Sequence, residues 1–203
     1  MYEKTENKSQ ITQGDIFQKF EYIKWATEDG DDIKVDSIEI PFFVVLTQCC
    51  DLEQDFKDRN KLENEKRDKY IQSVLVCPAY IADQVRAGNH LKGLGFITET
   101  YNSKRWDIIK NNDNTRYHFL ERNKELQLSD LVIDFKQYYT IPTDILYGIY
   151  KKHYVGALKP LFREKLSQRF AFYLSRIGLP AIKVEESKKE GQCPIGIVRE
   201  NSR

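Results

Sequence analysis

The chain has 203 residues, of which 40% are apolar and 31% charged, a composition that excludes an intrinsically disordered protein and suits one globular domain. Its formal charge of +1 excludes gross electrostatic capture of nucleic acid or membrane, but is compatible with a local basic stripe. No apolar run approaches the roughly 18 residues of a membrane-spanning helix. The polar N-terminus predicts no signal peptide, and the four cysteines follow no secreted framework, so we expect a cytoplasmic protein.

The first half of the chain predicts strands joined by turns. Gly14 marks a turn before a strand, and the segment EDGDD (28–32) predicts a hairpin turn because its glycine tolerates positive φ. The segment FFVVL (42–46) is apolar without alternation, which predicts a strand covered on both faces. Residues 53–69 carry balanced charges and little that is apolar, so we expect a solvated charged loop or a short exposed helix.

The second half predicts short strands and helices in alternation. Predicted strands cover 71–77, where Pro78 should end the ladder, 116–120 and 131–141; predicted helices cover 79–88 and 103–112, and a short helix or turn is predicted for residues 144–152.

The clearest element is an amphipathic helix at 160–177, with Pro160 in its first turn and Gly178 as its stop. We expect residues 1–180 to form a single domain and residues 181–203 to be a largely exposed tail.

The doublet Cys49-Cys50, followed by Asp51, is the most conspicuous local motif. Thiolates and carboxylates bind zinc, and a cysteine with a histidine base and Asp51 would have the chemical types of a thiol enzyme. Possible completing residues are Cys77, His90 and His118. Neighbouring strand residues point to opposite faces, however, so the doublet is a poor shared metal site. The alternative is a buried cysteine at a strand end with Asp51 capping the turn, and we predict no metal and no cofactor.

Three further features have both a functional and a structural interpretation. Lys165, Arg169 and Arg176 lie beside the apolar stripe of the predicted C-terminal helix, where they could contact a partner or nucleic acid, or form a solvated face. The aromatic strand residues at 117–119 and 138–139 could stack on single-stranded RNA, or pair within the core. Asp134 interrupts the apolar run LVIDF, so it lies on an exposed face or is bonded to an arginine or to backbone amides; alternation suits an exposed or half-exposed face.

Three short motifs lie between residues 13 and 48: GDIF at 14–17, Pro41, and VVLT at 44–47. On these motifs, residues 13–48 resemble the start of the MazF/PemK toxin family. The resemblance implies an SH3-like barrel that cleaves RNA without a metal, with Thr47 in place of the family's strand-end hydroxyl. The candidate catalytic residues are Thr47, Lys19, Lys24 and His118. The chain departs from the family in having Ile40 before the proline, where the family has arginine, and no arginine before Arg59.

We therefore predict an α+β fold, a bent antiparallel sheet or SH3-like barrel elaborated by short helices and closed by the C-terminal amphipathic helix. Three functions follow as hypotheses: a non-catalytic interaction or regulatory module of a toxin–antitoxin or defence type system, a metal-independent endoribonuclease, and a Cys/His/Asp metal or thiol site. The first would bind a protein partner through the charged loop and helix. A site at the rim, where the strand surfaces, would use Thr47, Gln48, Cys50 and Asp51.

Overall fold

The computed structural model describes residues 1–4, 9–61 and 67–176. The strands are β1 (Tyr2–Glu3), β2 (Asp15–Asp29), β3 (Asp32–Val45), β4 (Ser73–Ile81), β5 (Tyr117–Leu120), β6 (Leu131–Asp134), β7 (Tyr139–Pro142) and β8 (Tyr154–Leu158). The helices are α1 (Cys49–Arg59), α2 (Ala82–Arg86), α3 (Ser103–Lys110), α4 (Thr143–His153) and α5 (Phe162–Leu174). The predicted tail at 181–203 and the helix stop at Gly178 lie outside the described residues.

All strand pairs are antiparallel and form one sheet in the order β1-β8-β2-β3-β4-β6-β5, with β7 paired to β4. The sheet curls into a half-barrel and the helices pack around it, which confirms the predicted α+β fold with a bent antiparallel sheet. Within the described residues, no helix is both long and apolar enough to cross a membrane.

Apolar clusters lie on both sides of this sheet. On one side α5 packs Leu166 and Phe170 into a cluster that includes Val44. Phe43 and Val45 belong instead to a second cluster, which α4 completes. The strand at 42–46 is therefore covered on both faces, as its unbroken apolar run predicts. A third cluster joins α2 and α3 to the β5–β6 end of the sheet.

Strand β4 corrects two predicted boundaries. Pro78 does not end the ladder, because it lies opposite Phe43 and the strand continues to Ile81. On its other side β4 pairs with β7 up to Val76 and with β6 only from Ala79. Between Val76 and Ala79, β4 pairs with neither β7 nor β6 on this side. Proline is tolerated there because its missing amide removes no hydrogen bond from either ladder. The helix predicted over 79–88 consequently begins only at Ala82.

The same change of partners divides the predicted strand at 131–141. Its first part is β6 and its second part is β7, with a turn between them in which Gln137 N donates to the carbonyl of Asp134. The sequence analysis did not predict β8, a short strand directly after α4.

The loop predicted for 53–69 is wrong for residues 53–59, which belong to α1, although the alternative of a short helix is confirmed there. Asp55 is fully buried because its carboxylate accepts hydrogen bonds from Arg59 Nε and from the backbone amide of Ile71, both at 2.7–2.9 Å. These contacts tie the charged helix to the start of β4. Residues 62–66 lie outside the described part of the chain.

Candidate functional site

The β2–β3 hairpin is much longer than the strands beside it. Its pairing runs to Asp29 opposite Asp32, and Gly30 makes the turn with φ +65°, a conformation that glycine adopts without strain. The pairing of β8 with β2 ends at Phe17, and that of β4 with β3 begins at Phe42. Residues 20–40 therefore extend beyond the rest of the sheet as a two-stranded ribbon, which we call the arm.

Two irregularities interrupt β2, one where the arm leaves the sheet and one within the arm. Lys19 has φ +53° at the position facing Pro41, which has no amide to offer a partner. A second irregularity shifts the register between Ile23 and Trp25. Left-handed residues and bulges of this kind bend a strand and increase its local twist.

The root of the arm packs against the sheet and its outer part does not. Tyr22 contacts Tyr139 at 4.6 Å between ring centroids, and Phe20 contacts Phe43 at 5.5 Å. Further out, four large apolar side chains are mostly exposed, and we call them together the arm patch. They are Ile23 (59% exposed), Trp25 (65%), Ile33 (72%) and Val35 (54%). Ile23, Ile33 and Val35 share one face of the ribbon, whereas Trp25, opposite Asp36, lies on the other face. Exposed apolar side chains gathered on one element are typical of an interaction surface.

The arm is also strongly acidic. Residues 20–40 contain seven acidic and two basic residues, a formal charge of −5. Both lysines are paired within the arm, Lys24 with Asp36 and Lys34 with Asp29. The net negative charge is therefore left on the remaining carboxylates, and it surrounds the arm patch.

A cleft of about 750 Å³ lies at the root of the arm. One wall is formed by residues 37–41 of β3, and the opposite wall by residues between Asn89 and Leu94, which follow α2. Tyr80 and Gln84 complete the lining. The cleft exists because the chain leaves the sheet at the end of β4, so no described strand continues alongside the arm.

Behind this cleft lies a buried ionic cluster around Asp134. Its side chain is inaccessible to solvent and accepts hydrogen bonds from Arg116 Nε at 2.7 Å and Nη2 at 2.5 Å, and from Lys136 N. Burial alone would raise the pKa of Asp134, but the contacts with Arg116 and His90 outweigh it and hold the pKa below its usual value. The exposed face favoured by alternation is wrong, because His90 and the loop after α2 cover this carboxylate, whereas the alternative of bonds to an arginine and a backbone amide is confirmed.

His90 belongs to the same cluster and is not placed for acid–base chemistry. Its Nε2 lies 3.6 Å from an oxygen of Asp134, longer than a good hydrogen bond, and its ring meets Tyr80 edge to face. The side chain is fully buried. A substrate in the cleft would not reach either ring nitrogen, so we interpret His90 as part of the wall.

The candidate rim residues Thr47, Gln48, Cys50 and Asp51 lie where the chain passes from β3 into α1. Thr47 Oγ1 accepts a hydrogen bond of 2.7 Å from the Leu75 amide and so closes the end of the strand. Gln48 is the N-cap of α1, and exposed Cys50 and Asp51 follow in its first turn. The doublet therefore starts a helix instead of ending a strand, since β3 stops at Val45 and backbone bonds to Leu75 redirect the chain.

The four candidate nuclease residues are dispersed. Lys19 is exposed, and Lys24 is paired with Asp36 at 3.0 Å. His118 lies on β5, which β4 and β6 separate from Thr47 at the end of β3. Its side chain is buried, and burial followed by the charges of two nearby cations lowers its pKa from 6.5 to about 3.

The basic residues in and just after α5 differ in how far the fold engages their charged groups. Lys165 is exposed, whereas the Arg169 guanidinium donates to three backbone carbonyl oxygens. Those carbonyls belong to Asn112, Asn114 and Tyr117. Burial lowers the pKa of Arg169. Arg176 stacks 4.1 Å above the Tyr173 ring and donates to the carbonyl of that residue. Arg169 thus holds the turn before β5, and its guanidinium is largely engaged.

The cysteines and histidines do not assemble in the part of the chain that the structure describes. Cys77 is buried on β4 and donates to the Asp134 carbonyl at 3.3 Å, while burial and then the nearby Asp134 charge raise its pKa. Across residues 1–4, 9–61 and 67–176, no group of three or more His, Cys, Asp or Glu side chains is arranged to hold a metal ion.

The sequence analysis missed the arm and the cleft. Two signals were present: the hairpin turn at 28–32, and seven acidic residues within the 21 residues of 20–40. The partial alternation of this segment predicts a strand, but strand length beyond the neighbouring strands depends on the rest of the sheet. Comparison with models of known families gives no match for this chain, and comparison with curated proteins gives no significant match.

Proposed function

We propose that this chain is a non-catalytic interaction module that binds a partner protein through the arm. The observation that carries the proposal is the arm patch, four large apolar side chains displayed on a ribbon that the rest of the sheet does not cover. An extended ribbon gives a partner access to both of its faces, and Trp is enriched among residues that dominate binding energy.

Charge defines the class of partner. A ribbon with a formal charge of −5 repels nucleic acid and attracts a protein surface on which lysine or arginine borders an apolar groove. A role in a cytoplasmic toxin–antitoxin or defence type system rests only on the resemblance of residues 13–48 to the MazF/PemK family.

The contacts of the candidate catalytic residues favour binding over RNA cleavage. Thr47 and Lys24 have partners within the fold, and His118 is buried. Incubation of pure protein with single-stranded RNA in EDTA tests this directly. We expect intact RNA, and cleavage that disappears in Thr47→Ala would replace our proposal with the endoribonuclease.

The binding proposal is tested by a photo-crosslinking amino acid placed at Ile33, in cells that contain the native partners. The matched control is Ile97, which is 80% exposed on the loop that precedes α3, outside the hairpin. We expect one protein to crosslink at Ile33 and not at Ile97.

The crosslinked protein is then purified and its Kd measured against wild type, Trp25→Ser and Ile97→Ser. Loss of a central aromatic anchor costs on the order of 2 kcal/mol, so we expect Trp25→Ser to weaken binding by about 30-fold and Ile97→Ser to leave it unchanged. Equal affinities of all three proteins would contradict a docking role for the arm.

A further inference from the structure

The two edges of the arm differ in regularity. On the β2 side, the left-handed Lys19 and the register shift at Ile23 interrupt the ribbon, and His153 of α4 bonds the carbonyl of Gln18 at its base. Along residues 32–40 of β3, no residue has positive φ. Only this β3 edge offers a regular row of backbone groups.

Those backbone groups have no strand beside them within the described residues. The pairing of β4 with β3 begins at Phe42, so residues 32–40 have a described strand neighbour on the β2 side alone. In an antiparallel pair, alternate amides and carbonyls of an edge strand point away from the partner. Such an edge is a template for one further strand.

The cleft at the root of the arm has room for the first residues of an added strand along this edge. A strand residue within a sheet occupies roughly 160 Å³, from about 4.8 Å between strands, about 3.4 Å of rise and about 10 Å between packed layers. A cleft of about 750 Å³ thus holds roughly four residues of an extended segment. Beyond the cleft, the segment would continue along the outer part of β3 in the open.

Charge and alternation specify the segment. Asp32, Lys34 and Asp36 alternate along β3 with Ile33 and Val35, so an added strand meets apolar side chains on one face and mainly acidic ones on the other. A second copy of the arm would bring another −5 against this edge and is disfavoured.

The like-charge pair at the cleft points to the same partner. Glu21 and Glu39 lie directly opposite each other in the β2–β3 pairing, an arrangement of like charges that costs stability. Ser37 donates to Glu21 at 2.6 Å, and Glu39 lines the cleft, with Lys92 among the residues of the other wall. The two carboxylates add negative charge at the cleft end of the β3 face that also carries Ile33 and Val35.

We propose that residues 32–40 of β3 bind an extended segment of a partner protein as an added strand, and that this segment alternates apolar residues with lysine or arginine. The inference rests on the proposed function, because it specifies how the arm engages its partner. The cleft holds the first residues of the segment.

The experiment uses the full chain and a synthetic peptide of about nine residues that alternates lysine with valine and has blocked ends. Two comparison peptides carry glutamate in place of lysine, or N-methyl groups on alternate amides. We expect the glutamate and N-methyl peptides to bind at least about tenfold more weakly by fluorescence anisotropy, since each removes charge pairing or backbone hydrogen bonds. The lysine peptide should also slow hydrogen exchange at alternate amides of residues 32–40.

Substitutions on the chain provide the matched comparison. Glu39→Lys should weaken binding of the lysine peptide by about tenfold, whereas Glu125→Lys, the same change at an exposed site outside the hairpin, should not alter it. Circular dichroism and light scattering on each variant establish that it folds and remains in the same oligomeric state.

The outcomes separate the two proposals. If the N-methyl peptide binds as tightly as its parent while Trp25→Ser weakens the natural partner, the partner docks on side chains and strand addition is overturned, but the proposed function stands. If the lysine peptide binds no better than the glutamate peptide, strand addition is likewise overturned. If wild type is a dimer and Glu39→Lys dissociates it, a second copy of the chain occupies the β3 edge. The proposal of a basic partner segment is then overturned. Absence of any crosslink at Ile33 removes the proposed function itself.

Discussion

Acidification should destabilise this protein through His118. The side chain is 5% exposed on β5 and packs against Phe135, with 6.1 Å between ring centroids. Its Nδ1 has no hydrogen-bond partner among the described residues. Burial, and then the positive charges of Arg169 and Lys165, lower the pKa from 6.5 to about 3. The folded chain therefore keeps this imidazole neutral at pH values where the unfolded chain protonates it.

The size of the effect follows from that difference. Above pH 6.5 neither state binds the proton, so His118 has no influence on stability; as the pH falls from 6.5 towards about 3, the unfolded state gains it and stability is lost. A pH of about 5 lies about 1.5 units below the ordinary histidine pKa of 6.5. At about 1.36 kcal/mol per unit, the free energy of unfolding falls by about 2 kcal/mol. The lowered pKa of Asp134 confines its own stability loss to pH values near and below 3.8.

The assay is urea denaturation of wild type, His118→Gln and His118→Leu at about pH 7 and about pH 5. We expect wild type to lose about 2 kcal/mol more than either variant between the two conditions. Comparing wild type with each variant in the stability lost between the two pH values removes the contributions of the other two histidines, because distant sites contribute independently. Equal losses for wild type and both variants would show that the folded protein accommodates a charged His118 and would refute the reasoning.

Three further predictions concern stability. Asp55→Asn should cost about 3 kcal/mol in urea denaturation, because it breaks a buried ion pair with Arg59; a cost below about 1 kcal/mol would mean that the pair is not buried in solution. Gly88→Ala should cost about 2 kcal/mol or more, since φ is +75° and a Cβ would lie 2.3 Å from a backbone oxygen, whereas Gly93→Ala has open space and should behave like wild type. Trp25→Ser should leave the thermal midpoint nearly unchanged, within about 0.5 kcal/mol, because the indole is 65% exposed; a clear drop would show that the ring supports the fold.

Elements governed by local chemistry could be predicted from the sequence. The hairpin turn at 28–32 follows from one glycine among carboxylates, and α3 and α5 follow from apolar spacing within single segments. Strand boundaries were less predictable, because Pro78 is acceptable only where β4 exchanges β7 for β6. That exchange depends on residues more than 50 positions further along the chain.

Buried carboxylates were predicted only in part. Asp55 lies in a segment that looks solvated in the sequence, and alternation favours an exposed face for Asp134, yet both are fully buried. For Asp134, the alternative of bonding to an arginine or backbone amides is the one that holds. Each of the two carboxylates is satisfied by a guanidinium and a backbone amide, and the contact between Arg116 and Asp134 spans 18 positions. Alternation states which face a side chain is on, but not which face another segment will cover. The loop after α2 covers the face that carries Asp134, and no local sequence pattern predicts that coverage.

The formal charge of +1 conceals a separation of charge that bears on function. The arm carries −5, so the rest of the sequence carries +6. From residue 20 to the turn at Gly30 the ribbon spans about 33 Å at about 3.3 Å per residue, roughly four times the Debye length of about 8 Å at physiological salt. A partner that approaches the tip therefore responds to the arm's own acidity and not to the net charge of the chain. Raising the salt concentration should consequently weaken partner capture while leaving the apolar core intact.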